Sequence, residues 1–190
     1  MNQTNPAVKY GMIGAIILVV FGVGIQLILL NSLRKGAENP ASFSLLKLAG
    51  VQIISFLLIA GVYIFCIIRS MKDYRKLNPD YTYNSLVKQG LLATLIITVV
   101  SSLFSYLYGY LIAPESREEI TDLMKRIFEG IPSMSDSQRE KALSQLENQN
   151  PVRQMITGFA ITLVLGLVTS LISASVLKKK YDLNSPNQMR

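Results

Sequence analysis

The chain has no histidine and one cysteine, and four long stretches of it carry no charge at all. Each absence excludes something. Without histidine the commonest general base and metal ligand is missing. The lone Cys66 has no partner for an internal disulfide, and its place inside an apolar run suits a small apolar filler. It is also not placed as a lipidation site near the N-terminus. No grouping of residues carries recognisable catalytic chemistry, so no catalytic residue, cofactor or metal site is assigned.

The missing charges are the most informative absence. The 190 residues include 19 Lys/Arg and 12 Asp/Glu, yet none falls in the blocks at about 10–33, 48–68, 89–113 and 154–177. Twenty helical residues rise about 30 Å, the thickness of a bilayer's hydrocarbon core. A single charge at the centre of such a helix costs about 2.5–3.5 kcal/mol on insertion scales. The mean hydropathy is +0.35. These features predict an all-α integral membrane protein, one domain over 1–190 with four transmembrane helices. The first block is too long for a signal-peptide core and ends in Asn31-Ser32-Leu33-Arg34-Lys35, so it reads as a retained span. No Asp, Glu, Lys, Arg or His lies at depth, which argues against a proton-driven transporter. The mild polar residues Gln26 and Gln52 are candidates for hydrogen bonds between helices.

The formal net charge is +7. Its bases gather beside span ends, notably Arg69–Lys76 and Lys178-Lys179-Lys180, so membrane orientation explains it and nucleic acid is not expected as a partner. The bases place both termini in the cytoplasm and the segment 114–151 outside. Arg69, Lys72 and Arg75, in a loop spanning Arg69–Lys88, are possible contacts for phosphate headgroups. Tyr74, Tyr81 and Tyr83 flank the turn Asn78-Pro79-Asp80, and Tyr106, Tyr108 and Tyr110 close the third span, as interfacial aromatic residues do.

Segment 114–151 predicts an extracytoplasmic helical insert between spans three and four. Pro114 opens it, with Glu115, Glu118 and Glu119 in the first turn. Ile120, Leu123, Met124, Ile127 and Phe128 then form one apolar stripe. That stripe can pack on the second insert helix and the outer ends of the spans, lie in the interface, or dock a partner. Gly130 and Pro132 end the helix. Ser135 and Gln138 fit a capping box for a second helix reaching about Asn148. In the fourth span Gly158, Thr162, Gly166, Ser170 and Ala174 make a small-residue ridge, with Thr94, Thr98 and Ser102 as a matching row in the third. Spans three and four are therefore expected to pack closely. Val8-Lys9-Tyr10-Gly11 and Val87-Lys88-Gln89-Gly90 open spans one and three alike, with Ile17 and Val20 matching Ile96 and Val99, as a duplicated two-span hairpin would.

Ile68-Arg69-Ser70-Met71-Lys72-Asp73-Tyr74-Arg75, then Tyr81-Thr82-Tyr83 and Gly90, with the closing Lys178-Lys179-Lys180, resemble a bacterial membrane family, domain of unknown function 4199. The layout of four spans with a polar insert before the last is similar too. The family often has phenylalanine where this chain has Tyr83. The resemblance implies a bacterial inner membrane and a periplasmic insert, and it brings no activity or functional residues. The expected function is a non-enzymatic accessory or scaffolding subunit, with the lipid bilayer and another membrane protein or a second copy as partners. The alternatives are a small homo-oligomeric channel or carrier, and an enzyme or binder of lipid-linked phosphate headgroups.

Overall fold

The computed structural model describes residues 4–40, 43, 45–132, 134–147 and 150–183. These residues form α1 (Pro6–Glu38), α2 (Leu45–Leu77), α3 (Tyr83–Leu107), a π-helical segment (Tyr108–Ile112), α4 (Pro114–Gly130), α5 (Asp136–Glu147) and α6 (Pro151–Leu183). No strand occurs among them. Four helical stretches are long and apolar enough to cross a membrane: Pro6–Glu38, Ala49–Leu77, Tyr83–Ile112 and Val152–Lys178. Only 17 to 28% of their most apolar windows is buried within the protein, so most of that surface needs lipid.

The helices overrun the charge-free blocks. At 33 residues, α1, α2 and α6 are each about 50 Å long. The stretch Arg69–Lys76 is therefore not loop, as the sequence suggested, but the last two turns of α2. Lys, Arg and Met are good helix formers, and nothing breaks the backbone before Pro79 disfavours helix at Asn78. Asn78 then closes the end, its side-chain amide and its backbone N–H both donating to Tyr74 O at 2.9 and 3.0 Å. Thr82 and Ser85 cap α3 reciprocally, Thr82 N–H donating to Ser85 Oγ at 2.9 Å and Ser85 N–H to Thr82 Oγ1 at 3.2 Å. The Ser135–Gln138 capping box forms as read, at 3.1 and 3.3 Å. Residues 184–190, including the end of the polar tail, lie outside the described residues.

The chain reads as one domain, but its internal contacts fall into two compact units. The first comprises Met1–Leu18, Leu58–Ser102 and Thr157–Arg190; the second comprises Val19–Leu57 and Leu103–Ile156.

In the first unit α3 is the hub. Gly11 and Gly14 of α1 lie against Ile96 and Ile97, and Tyr63 of α2 shares a 3.0 Å hydrogen bond with Thr98. On the α6 side Gly166 lies against the Thr94 side chain, and Gly90 of α3 lies against Ser170 and Met71. Ser170 Oγ is buried and has no conventional hydrogen-bond partner among the described residues. A Cβ on Gly90 would stand 2.5 Å from it, so a Gly90 Cα–H points at that oxygen and offers it a weak contact. The small-residue ridge is thus engaged at Gly166, Ser170 and Ala174, and at Thr162, whose hydroxyl lies beside that of Tyr63. Gly158 is exposed with open space around it, and half-buried Thr162 bonds back to the carbonyls of Gly158 and Phe159. The two echoed motifs occupy comparable places: Tyr10 and Gln89 each reach polar side chains near the end of α2.

In the second unit the apolar stripe of α4 is not an open face. Leu123 and Ile127 are buried with Leu30, Leu33 and Ile131, and Ile120, Met124 and Phe128 pack around them. The overrun of α1 supplies this wall, and Gly36 lets Phe43 and Ile127 approach its backbone. Gly130 does not serve as a left-handed helix stop, since no glycine among the described residues has a positive φ. Its lack of a side chain instead admits Pro40, whose Cβ would lie 2.5 Å from an added methyl.

Candidate functional site

Two sites emerge, one in each unit. In the first unit polar groups collect where α1 begins and α2 ends. Asn5 caps α1, its Oδ1 accepting from Ala7 N–H at 2.9 Å. The same oxygen accepts from Gln89 Nε2 at 2.7 Å, and Gln89 also reaches Ser70 Oγ at 3.4 Å. Gln89 and Ser70 are buried, so this chain satisfies groups that would otherwise be costly to bury. One turn on, Tyr10 donates its hydroxyl to Asp73 Oδ2 at 2.6 Å, the short distance expected when the acceptor is ionised. Lys76 pairs with the other Asp73 oxygen at 3.4 Å, Arg69 lies beside the Tyr10 hydroxyl, and Lys9 sits 5.4 Å from the Tyr10 ring centroid.

The predicted headgroup residues separate here. Arg69 and Lys72 are exposed on one face of α2. Arg75 turns away, its Nη1 donating to Leu177 O at 3.4 Å beside the α6 end. Lys9, Tyr10 and Asp73 complete the cluster, and sequence spacing alone gave no sign of Tyr10 and Asp73 as partners, because 63 residues separate them. Among the described residues no group of three or more His, Cys, Asp or Glu side chains could hold a metal ion.

In the second unit the insert is fixed to α1 by a two-pronged ion pair. Arg34 Nε and Nη2 donate to Glu119 Oε1 and Oε2 at 2.6 and 2.9 Å. This pair stands beside the buried stripe and fixes the rotation of α4. Below α4, the π segment closes with Ala113 N–H donating to Tyr108 O at 2.8 Å. The Arg117 guanidinium stacks over the Tyr110 ring at 4.5 Å. Beyond Pro132, Arg139 Nε reaches back to Phe128 O at 3.2 Å and ties α5 to α4. The stripe residues Ile120, Leu123, Met124, Ile127 and Phe128 therefore serve the insert's own attachment, and its outer face is polar. Asp122, Arg126, Glu129, Glu140 and Lys141 are all exposed there.

The bond from Arg34 holds the Glu119 carboxyl below the usual carboxylate range. A group depressed on folding stabilises the fold above its unfolded pKa, about 4.3 for Glu, and that contribution fades as pH falls through the folded value. Hence the Glu119 carboxyl carbon, followed by NMR, should titrate below an ordinary glutamate, and Arg34→Gln should return it to the ordinary range. Both groups are exposed, so the effect on overall stability is expected to be small.

The fold and its exposed apolar surface define the class: the described residues are helical with short connections, and four apolar helices are long enough to cross a membrane, as in a multi-pass membrane protein. The family model for "Protein of unknown function (DUF4199)" matches residues 9–179, and the chain belongs to that family. The match takes in the Lys9–Tyr10 start, the Arg69–Asp73 cluster and the whole insert. No curated protein and no solved structure matches the chain.

Proposed function

We propose that the protein is a non-enzymatic accessory or scaffolding subunit of the bacterial inner membrane, with both termini in the cytoplasm and the α4–α5 insert presented in the periplasm. The observation that carries this reading is the attachment of the insert. Its apolar stripe is spent on α1, and a bidentate Arg34–Glu119 pair sets its rotation. What is left outward is a charged surface on two short helices, suited to a polar and specific contact rather than to chemistry. The sidedness rests on the bases at Arg69–Lys76 and at Lys178, directly beside apolar stretches.

The test is affinity purification from native membranes in mild detergent, with the mass of the complex. We expect a second protein at fixed stoichiometry, lost from the triple variant Asp122→Lys, Arg126→Glu, Glu129→Lys while the thermal midpoint is kept. In a Cys66→Ala background, Glu140→Cys should react with an impermeant thiol reagent from the periplasmic side, and Asn78→Cys should not. A homo-oligomer with no second protein would sink the accessory reading and favour a channel or carrier. Reversed labelling would overturn the orientation.

A further inference from the structure

We propose that the seam between α1 and α2 binds one anionic phospholipid, its phosphate on Lys9, Arg69 and Lys72 and an acyl chain along the apolar strip that runs away from them. The geometry comes from the contacts that fix which faces of the two helices meet. Tyr10 meets Asp73, and Gly14 meets Cys66. The helices are thus antiparallel, with residue 10 level with 73 and residue 14 level with 66. Their inner sides turn to α3, through Gly11 on Ile96 and Tyr63 on Thr98. The opposite, outer side of the seam is then set by helical spacing. On α1 it carries Lys9, Ile13 and Ile16, and on α2 it carries Lys72, Arg69, Phe65 and Leu58.

All of these are exposed, with Ile16 at 58% and Phe65 at 57%. The bases stand at one end of the strip, and the apolar side chains continue for three turns below them. Asp73 would repel a phosphate, but its two oxygens are already taken by the Tyr10 hydroxyl and by Lys76. Arg69 touches the phenol, and its five-donor planar guanidinium has donors beyond that contact for phosphate oxygens. A soluble phosphate would need only the bases. The continuous apolar strip is what selects a lipid.

The proposal goes beyond the accessory reading and stands on the other unit of the chain, so either can fail alone. It is tested by native mass spectrometry of the full chain released from nanodiscs of phosphatidylglycerol or of phosphatidylcholine. We expect one phosphatidylglycerol retained per chain and phosphatidylcholine lost. A base near a membrane surface contributes about 1 kcal/mol, so each removal should weaken retention about fivefold and Lys9→Gln with Arg69→Gln about thirtyfold. Phe65→Ser should weaken it with the bases intact, and Arg75→Gln should leave it unchanged. Helix content and elution volume identify any variant that fails to fold, and Arg69→Lys, which keeps the charge, should retain more lipid than Arg69→Gln. Equal retention of the two lipids would overturn the proposal, as would an unaffected double variant. Displacement of the lipid by millimolar inorganic phosphate alone would also overturn it, by assigning the bases to a free anion.

Discussion

Replacing Ile127 with alanine is expected to release α4 from α1. Ile127 is fully buried, touches the Gly36 backbone face, and sits in the middle of the cluster with Leu30, Leu33, Leu123 and Ile131. Truncating a buried isoleucine costs about 2–5 kcal/mol, from lost transfer energy and from the cavity left behind. The insert's charged attachment to α1, the exposed Arg34–Glu119 pair, cannot compensate. Amide exchange across Pro114–Gly130 should therefore speed up by at least about thirtyfold, since each 1.4 kcal/mol is a factor of ten. Arg126→Ala, on the exposed face of the same helix, should stay within about 0.5 kcal/mol of the parent. Unchanged protection in the Ile127 variant would mean that the stripe does not hold the insert.

The second large effect belongs to Gly166. A methyl there would fall on the side chain of Thr94, which is fully buried and whose hydroxyl is committed to Gly90 O at 2.9 Å. Thr94 cannot rotate away without breaking that bond inside the packed helices. In lipid there is no hydrophobic drive to re-form a loosened helix pair, so close approach is what holds α3 to α6. Gly166→Ala should destabilise by about 1–3 kcal/mol, read as a lowered thermal midpoint in detergent. Thr94→Ala removes the two nearest atoms and should restore part of the loss in a double-mutant cycle. Gly158→Ala, eight residues earlier on the same ridge, meets open space and should gain up to about 1 kcal/mol from helix propensity. Equal losses at 158 and 166 would refute the split of the ridge.

These two sites also mark how far the sequence could be read. The spans were legible because charge is so costly in hydrocarbon that its absence is a signal by itself. The α4 stripe was legible because a 3.6-residue period over Ile120–Phe128 is local. Its occupant was not, since α1 lies some ninety residues away and its overrun to Glu38 leaves no trace in hydropathy. The ridge on α6 showed the right residue types, but which half is engaged depends on where α3 crosses it. The sequence drew attention to Gln26 and Gln52, while Gln89 makes buried polar bonds to Asn5, the cap of α1, and to Ser70 of α2. Arg75 looked equivalent to Arg69 in the sequence, and only the α6 end beside it sets them apart.

The π segment at Tyr108–Ile112 has a consequence for tolerance to insertion and deletion. A π turn accommodates about one residue more than an α turn, and each α-helical residue advances about 100° around the axis. Tyr108–Ile112 thus acts as a slack turn, a place where the count of residues can change by one while the hydrogen-bonding remains closed, as Ala113 N–H to Tyr108 O shows. Losing one residue there would revert the turn to α and leave the chain on either side in nearly the same angular phase. Leu123 and Ile127 would then still face α1. The rotational setting of the insert, held by its apolar contacts and by Arg34–Glu119, is in this sense insulated from a change of one in the residue count before it.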